Sequence, residues 1–261
     1  MEKRRICIGT SGYSYKDWKG IFYPEQMKNT EFLRYYAGVF PFVELNFSYY
    51  RQPDQGMIGR MLEQTPPEFL FAIKAHQDIT HTRAADWKDA ADQFVREGVR
   101  PLHEASRLAG ILFQFPYSFH RTVENRRYLG EVTDFFSDFQ VFVEFRNTDW
   151  QLDEVYSTMQ ERHIGIVNTD TPELRGLPDQ GERCTADSGY VRLHGRNSAM
   201  WWEGDNVSRY DYLYTPDELQ EWVERINRML ENVTTLYVAF NNHHKGQAVR
   251  NALQLTEMLN A

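Results

Sequence analysis

Short apolar runs alternate with amphipathic segments along the whole chain. Spacing of apolar positions in the intervening segments indicates helices, and Thr30 and Pro216 stand where two of them should begin. Residues 171–189 and 196–214 are predicted to be irregular. The predicted strands are 5–9, 42–47, 69–76, 111–115, 140–146, 164–168, 190–194 and 236–240, and the predicted helices are 30–39, 54–64, 87–108, 123–137, 153–162, 216–230 and 246–259.

Eight strands, most of them followed by a helix, are typical of parallel sheets with helical crossovers. Such a sheet is either doubly wound or closed into a barrel, and eight units in 261 residues favour the barrel. No break in composition marks a second domain. We therefore predict that residues 1–261 form one α/β domain, a single (β/α)8 TIM-type barrel. Neither the GxGxxG fingerprint nor a Walker sequence occurs.

The strand predicted at 140–146 ends in charge. Glu144 and Arg146 are two positions apart, so they share one face of the strand. Their neighbours Val141, Val143 and Phe145 are apolar, which indicates a sheet that is covered on both sides. We infer that this carboxylate and guanidinium point into a polar site to which other strands contribute.

Polar residues recur at a spacing of two near the ends of other predicted strands. Active sites of TIM-type barrels lie at these C-terminal ends, and isolated buried charges are costly, so the residues are expected to converge and pair. An internal salt-bridge layer, such as Glu44 with Lys74, is the alternative explanation. In strand order the polar residues are Glu44, Asn46 and Ser48; Lys74 and His76; Gln114; Glu144 and Arg146; Asn168 and Asp170; Arg192, His194 and Arg196; and Asn241, Asn242 and His243.

Composition narrows the class of protein. The formal net charge of -8 argues against a globally basic nucleic-acid surface, although a local basic site remains open. Cys7 and Cys184 are far apart in sequence, which fits neither a disulfide framework nor a zinc pattern. No apolar run is long enough for a signal sequence or a membrane span. We expect a soluble cytoplasmic protein with no membrane partner, and we predict no oligomeric state.

Ordered motifs along the whole chain carry a family resemblance. They include Asp17-Trp18-Lys19-Gly20, Val43-Glu44-Leu45-Asn46, Leu112-Phe113-Gln114, Val143-Glu144-Phe145-Arg146, Val191-Arg192-Leu193-His194-Gly195 and Phe240-Asn241-Asn242. These motifs resemble those of the domain-of-unknown-function 72 (YecE-like) family. The resemblance implies a TIM-type barrel whose activity is unassigned.

The chain departs from that family's pattern at three positions. Tyr13 stands where Trp is usual, Asn147 where His is frequent, and His243 where an acidic residue is common. The last two departures weaken a metal role at those positions. A looser likeness to sugar isomerase-like and apurinic endonuclease-like barrels concerns the fold alone.

The leading functional prediction is an enzyme of hydrolase or lyase type that acts on an anionic, phosphate-bearing substrate. Guanidinium groups match phosphate oxygens, and carboxylates, imidazoles and lysines can transfer protons. Aromatic rings at the mouth could stack bases if the ligand is nucleic acid. The predicted catalytic residues are Glu44, Glu144, His194 and Lys74, and the predicted substrate-binding residues are Arg146, Arg192, Arg196, Asn46, Trp18, Tyr13, Trp150, Asn241 and Asn242.

Four other functions stay open at this stage. A non-catalytic binder of an anionic metabolite or of nucleic acid would use the same residues. A metal-dependent phosphodiesterase resembling apurinic endonuclease-like barrels would use a divalent cation, although several cationic side chains oppose it and no HxH or HExxH spacing occurs. Glu44 and Glu144 could hydrolyse a glycoside, and Lys74 could form a Schiff base. No cofactor is predicted, and a divalent metal remains an open alternative.

Loop aromatic residues are harder to interpret. Trp201, Trp202 and Tyr210 either pack the loop or stack against a ligand, and the sequence does not separate these two roles. His81 shows no pattern that indicates a role.

Overall fold

The computed structural model describes residues 4–205 and 207–260 and contains a closed barrel of eight parallel strands. Each strand pairs with its neighbours in chain order, and the eighth closes on the first, from Arg5 opposite Thr235 to Thr10 opposite Phe240. The predicted TIM-type barrel is therefore confirmed. The strands are β1 Arg5–Ser11, β2 Phe42–Leu45, β3 Leu70–Lys74, β4 Leu108–Gln114, β5 Val141–Glu144, β6 Gly165–Asp170, β7 Ser188–Leu193 and β8 Thr235–Phe240.

Helices surround the barrel, and polar side chains cap several of them. Asp54 accepts a hydrogen bond from the backbone N–H of Met57 at 2.8 Å, and Thr215 forms a capping box with Glu218. The segment between β6 and β7 contains no helix, as predicted. The α-helices of the described chain are α1 Phe32–Ala37, α2 Phe47–Tyr50, α3 Gln55–Glu63, α4 Trp87–Phe94, α5 Arg100–Glu104, α6 Val123–Phe135, α7 Asp153–Glu161, α8 Pro216–Leu230 and α9 Gln247–Asn260.

The prediction of a single helix over residues 87–108 is wrong. A π-helical turn, Val95–Val99, separates α4 from α5, and the Arg100 N–H donates to the Val95 carbonyl. The next residue, Pro101, has no N–H to continue the regular ladder, which explains the irregularity here. The helix ends at residue 104, and β4 begins at Leu108, inside the predicted helix.

Two other predicted boundaries also differ. β2 stops at Leu45 because the chain turns directly into α2, which carries Tyr49 and Tyr50 toward the end of the barrel. Thr30 does not cap a helix. It lies inside a short 3-10 turn, where the Glu31 carboxylate accepts the Lys28 N–H at 3.0 Å.

The barrel interior is filled by an inner apolar layer and then by polar side chains. Side chains of a strand alternate between its two faces, so the residue two positions after an inward-facing residue also faces inward. Polar residues therefore follow the apolar ones toward the C-terminal ends of the strands. The inner apolar layer comprises Cys7, Phe42, Ala72, Ala109, Leu112, Phe142, Val167, Tyr190, Tyr237 and Ala239.

A larger apolar core lies between the strands and the surrounding helices. It buries the amphipathic faces of the helices and fixes the barrel in its shape. Within the described ranges, no helix is both long and apolar enough to cross a membrane.

Candidate functional site

Four charged side chains, Glu44, Glu144, Arg146 and Arg192, meet above the inner apolar layer and are called here the ion-pair cluster. Glu44 follows Phe42, Glu144 follows Phe142, and Arg192 follows Tyr190, each by two positions along a strand. Because strand periodicity is two, the residues that fill the barrel determine which polar residues face inward above them. Of the polar residues predicted to converge, Glu44, Glu144, Arg146 and Arg192 are in contact with one another in this cluster.

Arg192 binds Glu44 through both prongs of its guanidinium group. The Nε atom donates to Oε2 at 2.9 Å, and Nη2 donates to Oε1 at 2.7 Å. Ser11 Oγ and the Tyr190 hydroxyl also donate to this carboxylate, at 2.7 and 2.8 Å. Glu44 is fully buried, and its two oxygens are saturated by these four bonds.

Glu144 lies between the two arginines. Arg192 Nη1 is 2.5 Å from Oε2, and Arg146 Nε is 2.5 Å from Oε1. Burial would raise the pKa of Glu144, but the charges of Arg146 and Arg192 hold it well below its ordinary value. Burial likewise opposes the charge of Arg192, yet Glu144 and Glu44 raise its pKa. Glu144 and Arg192 therefore stay ionised at neutral pH.

His194 lies beside this cluster and is fully buried. Its Nε2 atom is 3.3 Å from Glu144 Oε1, and its Nδ1 atom is 3.0 Å from Asn241 Nδ2. Burial, reinforced by the charge of Arg146, lowers the pKa of His194 to about 3. The imidazole is consequently neutral at physiological pH.

A pocket of about 620 Å³ opens above the ion-pair cluster at the C-terminal ends of the strands and is called here the mouth pocket. Of the predicted site residues, Asn46, Lys74, Arg146, Arg192 and Asn241 line it. Its other lining residues within the described chain are Tyr15, Tyr49, Tyr50, Gln77, His81, Gln114, Pro116, Tyr117, Leu177, Trp201, Trp202, Arg209, Tyr210 and His243.

The described lining of the mouth pocket contains cationic, amide and aromatic side chains but no Asp or Glu, and no Ser, Thr or Cys. Glu44 and Glu144 lie beneath its floor with exposed fractions of 0%. The arginines thus separate the two carboxylates from the space that a ligand would occupy.

Lys74 is held differently from the two arginines. Its Nζ atom donates to Gln114 Oε1 at 2.9 Å and lies 4.4 Å from the centroid of the Tyr49 ring. No described carboxylate forms an ion pair with it, so the Glu44–Lys74 pair considered from the sequence is absent, and Glu44 pairs with Arg192 instead. Burial, and then the charge of Arg192, lowers the pKa of Lys74 to about 7.

Arg196 and Asn242 lie outside the mouth pocket. Arg196 Nη2 donates to Oδ2 of the buried Asp170 carboxylate at 2.9 Å. The same nitrogen donates to Glu221 Oε2 at 2.8 Å. Asn242 donates to the Tyr212 carbonyl at 2.8 Å and is fully buried. Both side chains hold loops in place around the barrel end.

Three aromatic residues predicted to bind substrate also pack within the protein. Trp18 is fully buried, and its Nε1 donates to the His243 carbonyl at 2.7 Å. Trp150 stacks on Phe145 with centroids 4.3 Å apart. Tyr13 lies against Tyr36 at 6.2 Å. None of the three lines the mouth pocket.

Loops contribute pocket residues that strand periodicity could not indicate. Arg209, Trp202 and Tyr210 come from the predicted loop 196–214, where the density of aromatic residues was the available signal. His81 lies in a π-helical turn after β3, with its ring 4.9 Å from that of Tyr49. Burial, followed by the charges of Lys74 and Arg146, lowers its pKa to about 4.

A divalent metal, which the sequence left open, would need several ligating side chains close together. Over residues 4–205 and 207–260, no three His, Cys, Asp or Glu side chains group as they would around a metal ion. The two central carboxylates are instead occupied by guanidinium, hydroxyl and phenol donors.

Comparisons with known proteins agree with the fold. The chain is similar to the UPF0759 protein YunF of Bacillus subtilis (strain 168), with 29% identity over 269 residues, covering 97% of this chain and 94% of that protein. A crystal structure of a DUF72 family protein from Thermotoga maritima MSB8 has a TM-score of 0.92 and 40% identity, covering 98% of this chain and 100% of that one. For a DUF72 family protein from Enterococcus faecalis V583 the TM-score is 0.84 and the identity 25%, with 100% of both chains covered.

The family itself is identified by a match along nearly the whole chain. The model of the family described as "Protein of unknown function DUF72" matches residues 7–261. This range includes every strand except the first two residues of β1, and all residues of the ion-pair cluster. The chain therefore belongs to the DUF72 family of proteins of unknown function.

Proposed function

We propose that the protein is an enzyme of hydrolase or lyase type whose mouth pocket binds a small, anionic, phosphate-bearing substrate. One observation carries the proposal. Lys74, Arg146 and Arg192 line the pocket, whereas the carboxylates that hold the two guanidinium groups are buried beneath them. A ligand entering the pocket therefore meets the cationic side of the ion-pair cluster.

The ion-pair cluster is built to hold guanidinium groups in fixed positions. Arg192 is bound by Glu44 and Glu144 at the same time, and Arg146 is in contact with Glu144. An arginine that is already oriented loses less conformational freedom when it binds phosphate. Inside the cluster two positive and two negative charges cancel, so the excess positive charge comes from Lys74 and Arg209 in the lining.

The structure favours a different division of roles from the one predicted. Glu44, Glu144 and His194 were predicted to be catalytic, but all three are fully buried below the pocket lining. We assign to them the positioning of Arg146, Arg192 and Asn241. Lys74 is then the pocket group best suited to catalysis, because an amine whose pKa is about 7 can gain or lose a proton at neutral pH.

A nucleotide or a single-stranded nucleic acid is the second candidate ligand. Trp202 and Tyr50 line the pocket with exposed fractions of 51% and 63%, and the Tyr117 ring lies 4.9 Å from that of Trp202. Exposed rings beside cationic groups are what base stacking requires. In this case the phosphate would occupy the floor and the base the rim.

The proposal is tested by thermal-shift measurements with phosphorylated sugars, nucleotides, short oligonucleotides and the matching unphosphorylated compounds. Phosphorylated compounds should stabilise the wild type, and Arg146→Ala should remove most of that effect. Every stabilising compound is then incubated with wild type and Lys74→Met, and products are followed by mass spectrometry.

Three results separate the alternatives. Turnover that is lost in Lys74→Met supports the enzyme. Stabilisation without turnover of any stabilising compound supports the non-catalytic binder. Equal responses to phosphorylated and unphosphorylated compounds would overturn the proposal of an anion site.

A further inference from the structure

We propose that the amine of Lys74 is a covalent nucleophile, which condenses with an aldehyde or ketone group of the substrate to form a Schiff base. This inference rests on the proposed function, because the same mouth pocket would hold the anionic part of the substrate. It narrows the substrate to carbonyl compounds that carry a phosphate or a comparable anionic group.

The composition of the pocket supports this role by elimination. The described lining contains no Ser, Thr or Cys that could supply an oxygen or sulfur nucleophile, and no carboxylate. Glu44 and Glu144 are fully buried and bound to Arg192. Among the aliphatic side chains of the described lining, Lys74 thus carries the group that can form a covalent bond to a carbonyl carbon.

The surroundings of Lys74 favour the neutral amine. A lysine that pairs with a carboxylate is held as an ammonium ion, but Nζ donates to the uncharged Gln114 Oε1 at 2.9 Å. Burial acts against a positive charge on Nζ, and the charges of Arg192 and Arg146 act in the same direction. Together they outweigh Glu144 and Glu44, so the pKa of Lys74 falls to about 7. About half of the molecules then carry the nucleophilic form at pH 7.

The same neighbours provide a place for the anionic part of the substrate. Arg146 and Arg192 line the floor together with Lys74, so a phosphate bound to the guanidinium groups would bring a carbonyl on the same small molecule toward Nζ. The Tyr49 ring, 4.4 Å from Nζ, forms one wall of this space.

The step is balanced without an oxidant or a reductant. The Nζ lone pair forms a bond to the carbonyl carbon, and the π electrons move to the oxygen, which takes a proton. The attacking nitrogen, now positively charged, gives up one proton to solvent, which restores its lone pair, and the hydroxyl group takes a second proton. The C–O bond then breaks to release water as the nitrogen lone pair forms the C=N bond. The amine, the carbonyl compound and one proton from solvent yield a protonated imine and one molecule of water.

The experiment uses the full-length protein with glyceraldehyde 3-phosphate as the probe and unphosphorylated glyceraldehyde as its counterpart. Sodium cyanoborohydride reduces any imine to a stable amine, and peptide mass spectrometry gives the rate of labelling at each lysine. Lys88 is the internal control, because its Nζ also lies over an aromatic ring, that of Trp87 at 5.8 Å, but the residue is exposed and outside the pocket.

At pH 7 the phosphorylated probe should label Lys74 at least about tenfold faster than Lys88, because an ordinary lysine is almost fully protonated at that pH. Labelling of Lys74 should level off above pH 7, whereas labelling of an ordinary lysine keeps rising toward pH 10. Lys74→Arg should abolish the fast labelling, and Lys88→Arg should leave the rate of labelling at Lys74 unchanged. Inorganic phosphate should slow labelling at Lys74 alone.

Equal labelling of Lys74 and Lys88 would overturn the Schiff-base inference. If phosphorylated compounds still stabilise the protein and Arg146→Ala still removes that effect, the proposed anion site survives this failure. Fast labelling of Lys74 by both probes, without competition by phosphate, would support the reactive amine and overturn the anion site.

Discussion

Arg192 holds Glu44 in a two-pronged ion pair, with Nε–Oε2 and Nη2–Oε1 distances of 2.9 and 2.7 Å, and both side chains are almost completely buried. The remaining terminal nitrogen of Arg192 contacts Glu144 at 2.5 Å. One guanidinium group therefore compensates carboxylates from two strands, β2 and β5. Removing a charge from such a network leaves others buried without a partner, which is far more costly than losing an exposed pair.

Arg192→Met should lower the free energy of unfolding by about 3–5 kcal/mol, because it leaves two carboxylates buried without their shared partner. Urea unfolding followed by circular dichroism measures this loss. The double variant Arg192→Met with Glu44→Gln should recover part of it, since one of the two charges is then removed.

The matched control is Arg228→Ala. Arg228 pairs with Glu182 at 2.8 Å, but the two side chains are 53% and 40% exposed. Its replacement should lower the free energy of unfolding far less than Arg192→Met does, because an exposed ion pair contributes little to stability. Similar losses for Arg192→Met and Arg228→Ala would contradict the picture of a dry, coupled cluster.

Arg146→Ala should weaken binding of a phosphate-bearing ligand at least about tenfold, because a charge-assisted bond to a phosphate contributes about 1.5–3 kcal/mol. Isothermal titration calorimetry with whichever compound stabilises the protein gives the affinity. Arg146 is suited to this test because it lines the pocket.

Arg196→Ala is the control for this prediction. Arg196 is bound to Asp170, Glu218 and Glu221 outside the mouth pocket. Its replacement should lower stability and leave affinity unchanged. If Arg196→Ala weakens binding as much as Arg146→Ala, the ligand lies elsewhere than proposed.

The convergence at the site was predictable because a strand repeats every two residues. Once Phe42, Phe142 and Tyr190 fill the barrel, Glu44, Glu144 and Arg192 must face inward above them. The same periodicity does not reveal how deeply each side chain is buried below the pocket. It placed the carboxylates and arginines in one group, but which of them reach the pocket depends on side-chain length and pairing: Arg192 spans from the floor to both glutamates.

Loop residues lay beyond the reach of periodicity. Trp202 and Arg209 come from a segment whose described residues form no strand or α-helix, so their place in the pocket is set by loop packing. Trp18 and Trp150 show the converse case, because their surroundings made them core residues rather than stacking platforms. The barrel and the polar residues of its strands were thus predictable, and the rim of the pocket was not.

The stability of the ligand-free protein should rise with pH between pH 7 and about 8.5 because of Lys74. The folded protein releases the Lys74 proton near pH 7, whereas the unfolded chain retains it until about pH 10.4, so the unfolded state binds more protons throughout this window. A lysine whose pKa is lower in the folded than in the unfolded state stabilises the fold at high pH. This contribution is lost as the pH falls through the pKa of the folded state. The slope is at most about 1.4 kcal/mol per pH unit.

Urea unfolding of wild type and Lys74→Met at several pH values isolates this contribution. The wild type should become more stable relative to Lys74→Met as the pH rises. Lys88→Met should show the same pH dependence as the wild type. Neither Tyr49 nor His81 titrates in this window, since burial raises the pKa of Tyr49 and lowers that of His81 to about 4. A pH-independent difference would show that Lys74 keeps its proton in the folded state.

Trp202→Ala should weaken binding of nucleotides by about 1–3 kcal/mol if a base stacks at the rim, while leaving the affinity for inorganic phosphate unchanged. Trp202 is 51% exposed in the pocket, so its removal disturbs little of the fold. Tryptophan fluorescence quenching and calorimetry with a nucleoside monophosphate measure the effect.

Trp201→Ala separates packing from stacking. Trp201 is 3% exposed and lies edge-on to Tyr210 with centroids 6.1 Å apart, so its replacement should cost about 3–5 kcal/mol of stability. Loss of phosphate affinity in Trp202→Ala would show that this ring shapes the floor instead of the rim. An unchanged nucleotide affinity would leave the anion site intact and remove nucleotides as the second candidate ligand, because the exposed rings were what favoured them.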